Sequence, residues 1–202
     1  MDTESILISL GYIGIFLSVF IETGVPLGLV LPLPGWTLLL SAGVLSASGH
    51  LDVTLSIIVG ILAATTGFIV GYFTGFTYGR KLFFETHKGR FFTAKQGRKT
   101  EKFMKKFGYL TLIIGRFFPI VHNLVPILSG IARTRFSAFM LANVIGAVIW
   151  VSSAVFAGYF IGRQIPNAPY YIIPLVILFM IFINTKYGRK KAQKFWDKLD
   201  IT

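Results

Sequence analysis

The distribution of positive charge constrains this chain more than any other feature. Residues 1 to 79 contain no Lys or Arg; ten fall between Arg80 and Lys106, and six between Lys186 and Lys198. Around these blocks run six apolar segments, 5–21, 25–47, 53–79, 107–132, 136–161 and 170–184. A straight helix crossing the hydrocarbon core needs about 20 apolar residues. Segments 53–79 and 136–161 meet that length, and 5–21 and 170–184 meet it marginally. Basic blocks beside apolar spans follow the positive-inside pattern, so both blocks are expected in the cytoplasm. The pattern also argues against nucleic acid as the partner of this +12 chain. The blocks suit anionic headgroups instead, at about 1 kcal/mol per basic residue near the surface. Only 14% of residues are charged, against about 25% in soluble domains. The absence of cysteine excludes disulfides and thiolate metal sites. Asp2 and Glu4 stand where a secretory signal carries positive charge, so the first segment reads as a mature helix.

Two segments do not read as simple spans. Residues 25–47 hold Pro26, Pro32, Pro34 and Gly35, and residues 107–132 hold Gly115, Pro119, Pro126 and Gly130. With Arg133 and Arg135 also cytoplasmic, segment 107–132 enters from the cytoplasm and returns to it. That makes it a re-entrant hairpin bent between Pro119 and Pro126. Segment 136–161 then runs outward, 163–169 turns outside, and 170–184 returns. Irregular backbone at membrane depth is tolerated only where protein buries it or a cavity takes it up. The bends therefore predict a site.

The halves resemble each other. Gly71-Tyr72-Phe73-Thr74-Gly75 recurs as Gly158-Tyr159-Phe160-Ile161-Gly162, an offset of 158 − 71 = 87. The same offset pairs Gly28 with Gly115, Pro32 with Pro119, Gly43 with Gly130 and Ile58 with Ile145. In this register 25–47 is a first hairpin, opening outward, with 53–79 the helix after it. The expected fold is an all-α integral membrane protein: an inverted repeat with two opposed re-entrant hairpins and about four transmembrane helices. Inverted repeats with broken helices meeting at the midplane mark secondary transporters. Repeat 1 covers about 22–80 and repeat 2 about 108–163 of a single membrane domain, 1–202. Between them lies the basic segment 81–107, whose residues 93–107 read as an amphipathic interfacial helix, or else as a solvated linker. A C-terminal transmembrane helix, 169–185, and a basic cytoplasmic tail, 186–202, complete the chain. The N-terminus is cytoplasmic if 5–21 spans the bilayer and outside if that segment lies flat.

Ionisable residues inside apolar segments are expensive and so are functional candidates. There are three: Glu22, Arg116 and His122. Glu22 ends the first apolar segment and suits a proton carrier, a partner for Arg116, or a headgroup-level residue with access to water. Arg116 lies 116 − 107 = 9 residues into its segment, on the order of 13 Å deep if helical. Its planar fork matches a phosphate; alternatively it caps loose carbonyls at the broken helix or snorkels to the surface. His122 can contact phosphate when protonated, relay protons, or bond structurally. Asn123 can satisfy backbone groups at the same bend. Trp36, Trp150 and the tyrosines read as packing or belt residues. Nothing indicates a cofactor, a metal site or a catalytic constellation, so an enzyme is not expected.

One set of residues resembles a known family. It comprises Glu22, Pro32-Leu33-Pro34-Gly35, Ala42-Gly43, Gly71-Tyr72, Tyr78-Gly79-Arg80, Gly115-Arg116-Phe117-Phe118-Pro119, Gly130, Phe139, Asn143, Gly146, Trp150 and Gly158-Tyr159. Spread over about residues 10 to 165, it resembles the DedA family of membrane proteins, whose domain is shared with eukaryotic lipid scramblases of the endoplasmic reticulum. The resemblance implies a transporter with two opposed hairpins. It would return undecaprenyl phosphate across the bacterial plasma membrane, or move phospholipids such as phosphatidylethanolamine, driven by the proton motive force. It places the functional acid of the first hairpin on Glu22 and the first arginine of the second on Arg116. Three positions depart from the family. Trp36 and Phe68 stand where acids are common, and His122 stands where a second arginine is common, so the site carries less charge.

The expected function is thus movement of a phosphate-bearing membrane lipid across the plasma membrane, undecaprenyl phosphate narrowly before a glycerophospholipid. Arg116, His122 and Asn123 would bind substrate, and Glu22 would take the coupling proton. A proton-coupled ion or drug transporter and a non-transporting scaffold are the alternatives, and a homo-oligomer stays open.

Overall fold

The structure is a computed structural model that describes residues 3–24, 35–80 and 108–165, with Tyr170, Tyr171, Pro174 and Leu178. Every regular element among these residues is helical: α1 (Thr3–Gly24), α2 (Gly35–Ala47), α3 (Val53–Arg80), α4 (Leu110–Ile114), a 3₁₀ turn (Gly115–Phe117), α5 (Pro119–Ile131) and α6 (Phe136–Gln164). Pro32, Pro34, the basic segment 81–107 and most of the C-terminal segment lie outside the described residues. Tyr170, Tyr171, Pro174 and Leu178 are helical and exposed.

Two helices are long and apolar enough to span a bilayer, Val53–Tyr78 with 26 residues and Phe136–Gln164 with 29. The two faces of α6 show what solvent the fold is built for. Its outer face carries Leu141, Val144, Ile145, Val148, Ile149, Phe156 and Phe160, all exposed. Its buried face includes Asn143, Gly146, Ala147, Ala154 and Gly158. A water-soluble helix places its large apolar residues inward. Here many large apolar side chains face outward, and apart from Phe139 and Trp150 the inward face is built of Gly, Ala, Val and Asn, as packing between membrane helices favours.

Local sequence explains the helix ends. Asp52 caps α3: its Oδ1 accepts from the Leu55 N–H at 2.7 Å, and its own N–H donates to the Tyr12 hydroxyl at 2.8 Å. Asp52→Ala should lower stability by about 1 kcal/mol, read as a lower melting temperature of the purified protein with no change in oligomeric state. Several hydroxyls inside helices bond their own backbone. The Thr23 hydroxyl donates to the Val19 carbonyl at 2.7 Å, Ser46 to Ala42 at 2.8 Å and Thr66 to Leu62 at 2.7 Å. These side chains therefore present no unpaired group to hydrocarbon.

The halves are packed crosswise. α2 lies on α6, and α5 lies on α3. Glycines set both approaches. A Cβ at Gly43 would collide with the Val155 carbonyl oxygen and come within 2.8 Å of the Tyr159 nitrogen. A Cβ at Gly130 would collide with the Tyr72 carbonyl oxygen and come within 2.6 Å of the Phe76 nitrogen. Such small-residue contacts bring helix backbones together where no hydrophobic force between helices operates. The helix ends recur at 119 − 35 = 84 and 131 − 47 = 84, whereas the sequence identities recur at 87. Gly130 therefore sits nearly one turn later in α5 than Gly43 does in α2.

Segment 108–131 is broken at a sharper point than the sequence suggested. Phe118 is extended (φ −110°, ψ 109°) between the 3₁₀ turn and α5. A residue preceding proline is pushed out of the helical region, and Pro119 suits the first position of the next helix. Pro126 and Gly130, expected at the bend, lie inside α5 instead. Likewise, Gly35 opens α2. Pro126 has no N–H to offer the His122 carbonyl four residues earlier, so it loosens α5 without ending it.

Candidate functional site

The break at Phe118 holds the 3₁₀ turn under α6, and Arg116 turns inward from it. Arg116 is 3% exposed. Its Nη2 donates to the Asn143 carbonyl oxygen at 3.3 Å and, at a shorter distance, to Asn143 Oδ1. The guanidinium carbon stands 3.7 Å from the centroid of the Phe68 ring, a cation–π arrangement. Gly146 makes room for it, since a Cβ there would lie 3.0 Å from Arg116 Nε and 3.0 Å from the Leu112 carbonyl oxygen. Nε and Nη1 are buried without partners. Asn143 is itself buried, and its Nδ2 donates to the Thr65 carbonyl at 3.1 Å. α3, α6 and the 3₁₀ turn thus converge on one arginine.

Two aromatic rings extend the site toward the first half. His122 lies between Phe68 and Trp150, at ring separations of 5.3 and 5.2 Å, with both nitrogens unpartnered. Trp150 is 6.1 Å from Trp36, and its ring edge reaches the start of α2, 3.5 Å from where a Gly35 Cβ would stand. The Gly35 backbone donates to the Glu22 carboxyl group. A side chain at Gly35 would strike Glu22 Oε2, a buried atom with no partner. Glu22 and Arg116 form no ion pair; a series of contacts through Phe68, His122, Trp150 and Gly35 links them. Asn123 Oδ1 is also buried and unpartnered.

Glu22, Gly35, Arg116 and His122 are therefore gathered into one buried centre. Pro126 and Gly130 are not part of it: they face α3, Pro126 against Gly71 and Gly130 against Tyr72. Reasoning from the residues alone missed Asn143, Thr65 and Trp150 as members, and Phe68 entered only as a position where the family commonly has an acid. Trp150 is 3% exposed and is no belt residue. A search confined to ionisable groups passed over Asn143, although an amide within a 29-residue apolar helix also needs a partner. Asn143→Leu should cost about 1.5–3 kcal/mol, the range for hydrogen bonds to charged groups, above the roughly 0.6 kcal/mol average measured between membrane helices. Chemical or thermal unfolding in detergent would measure it; an unchanged midpoint would mean Asn143 does not hold Arg116.

The arrangement offers a fixed cation with spare donors at a helix break. The family model described as the VTT domain matches residues 33–160, which include every site residue except Glu22. The chain belongs to the DedA family. It is 37% identical to Protein DedA of Escherichia coli over 154 residues, 75% of this chain and 68% of that protein. It is 35% identical to an uncharacterized membrane protein of Mycobacterium tuberculosis over 174 residues, 85% of this chain and 74% of the relative. An uncharacterized membrane protein of Bacillus subtilis is 29% identical over 160 residues, 79% of this chain and 95% of the relative. No solved structure matches the chain. Membership of the DedA family makes it an integral membrane protein, in accord with the outward apolar face of α6.

Proposed function

We propose that this DedA-family protein moves a phosphate-bearing lipid across the bacterial plasma membrane. Undecaprenyl phosphate is the first choice of substrate and a glycerophospholipid such as phosphatidylethanolamine the second. One observation carries the reading: Arg116 is buried beside a helix break and keeps two donors, Nε and Nη1, without partners. A buried cation with unmet donors is unfavourable until an anion arrives, and a phosphate fits an arginine fork. The N-terminus of α5 adds a favourable dipole end. His122, when protonated, adds a second contact, and Glu22, on the far side of Trp150, takes the coupling proton. The hairpins are re-entrant and opposed, the site opens alternately to each side, and the lipid tail stays in the bilayer. The basic segment and tail lie on the cytoplasmic side against anionic headgroups. The chain is a transporter rather than an enzyme.

The test is movement of labelled undecaprenyl phosphate and phosphatidylethanolamine in proteoliposomes holding the purified protein, with and without a proton gradient. Gradient-dependent movement of one lipid supports the reading and names the substrate class. Transport of a water-soluble ion or drug without lipid redistribution would support an ion transporter. Binding of lipid without movement would support a scaffold.

A further inference from the structure

The Tyr109 end of α4 lies away from the Arg116 centre, and two cavities meet there. One, of about 120 Å³, is lined by Gly108, Tyr109, Leu112, Ser129 and Thr134. Ser129 is 0% exposed and its hydroxyl has no partner. Its neighbours are occupied: the Thr134 hydroxyl donates to the Ser129 carbonyl at 3.1 Å, and the Tyr72 hydroxyl donates to the Thr134 carbonyl at 2.7 Å. The second cavity, about 430 Å³, is a groove between α4 and α6 lined by Tyr109, Leu110, Ile113, Leu141 and Ile145, with Ala138 and Ala142 at its floor. A small pocket with an orphaned hydroxyl thus opens beside an apolar groove.

We propose that this is a docking site for a lipid phosphate, head toward Ser129 and hydrocarbon chain in the α4/α6 groove. The inference rests on the transport reading above. Charge favours an anionic head, because Arg133 and Arg135 flank Thr134. The acids with described side chains, Glu22 and Asp52, are elsewhere: one is at Gly35 and the other caps α3. The chain's own last segment does not fill the groove at its described positions, since Tyr170, Tyr171 and Leu178 are 79%, 68% and 68% exposed. In sequence the groove is close to the site: Ala142 adjoins Asn143, the partner of Arg116, and Arg116 lies 116 − 109 = 7 residues along the arm from Tyr109, about 10 Å at the helical rise. A lipid held here would have its phosphate one short transfer from the buried fork.

The experiment uses the full chain in nanodiscs with a photoreactive polyprenyl phosphate whose diazirine lies in the hydrocarbon chain. Labelling is mapped by peptide and compared with the matching polyprenol, which lacks the phosphate. Labels on the peptides of Leu110–Ile113 and Leu141–Ile145 should exceed the polyprenol control by at least about fivefold, corresponding to about 1 kcal/mol of headgroup attraction. Ser129→Val should reduce that excess and Ala138→Trp should remove it. Arg116→Ala should leave it intact while transport is lost. Equal labelling by the polyprenol would mean ordinary boundary lipid and overturn the proposal. So would loss of labelling in Arg116→Ala, or labelling prevented by a second copy crosslinked across the groove. If the wild-type protein labels as expected but moves no lipid, the transport reading fails and the docking site stands.

Discussion

Arg116→Ala should abolish lipid movement while leaving the protein folded in the membrane. A desolvated charge pair between protein and ligand is worth about 2–5 kcal/mol when one partner is truncated. At 1.4 kcal/mol per tenfold, transport should fall by about 30- to 4,000-fold. The effect on stability should be small or favourable. Arg116 is buried with two unmet donors, so removing its charge relieves a cost that offsets loss of its hydrogen bonds to Asn143. Activity and stability therefore move apart in this variant. Arg116→Lys keeps the charge but not the planar fork, and should retain part of the activity. Initial rates in proteoliposomes, set beside melting temperatures, read both quantities. Normal transport by Arg116→Ala would sink the mechanism.

Gly130→Ala should have the largest effect on folding. Its added Cβ would meet the Tyr72 carbonyl oxygen and the Phe76 nitrogen. Both are backbone atoms of α3 and cannot rotate away. Overpacking commonly costs 1–3 kcal/mol and at times more; with rigid backbone on the other side, about 3 kcal/mol or more is expected. Gly43→Ala, against Val155 and Tyr159, should behave alike. Gly14→Ala is the control. Nothing lies within 4 Å of its Cβ position, so the gain in helix propensity, up to about 1 kcal/mol, should raise stability. Yield of monodisperse protein and its melting temperature distinguish the cases. A Gly130→Ala protein as stable as wild type would mean that the α3/α5 approach is looser than described.

Several parts of this outcome were legible in the sequence. Arg116, beside a Phe-Pro step in an apolar segment, is readable because charge in hydrocarbon is costly and a residue before proline leaves the helix. The two long helices follow from length and hydropathy. Pro126 reads as a bend in sequence because proline breaks most helices, yet α5 carries it at the loss of one hydrogen bond. Phe68 and Trp150 look like ordinary membrane aromatics, and only the fold shows that they enclose His122. The register of the halves was also partly hidden. Identical residues recur at 87 whereas the helix ends recur at 84, because the glycines that match in sequence serve contacts almost one turn apart.

The crosswise packing has a mechanical consequence. α2 and α5 are each clasped by the long helix of the other half, with glycine backbones in contact on both seams. A body that moves as one is defined by its tightest contacts, and these join α2 to α6 and α5 to α3. In the proposed transport cycle, the bodies expected to move are therefore α2 with α6 and α5 with α3 rather than the two sequence halves. Arg116 sits between these bodies, with Asn143 from one and Phe68 from the other. Any sliding of one body past the other must pull on the arginine's own contacts, so the charge that would hold the cargo also forms the latch.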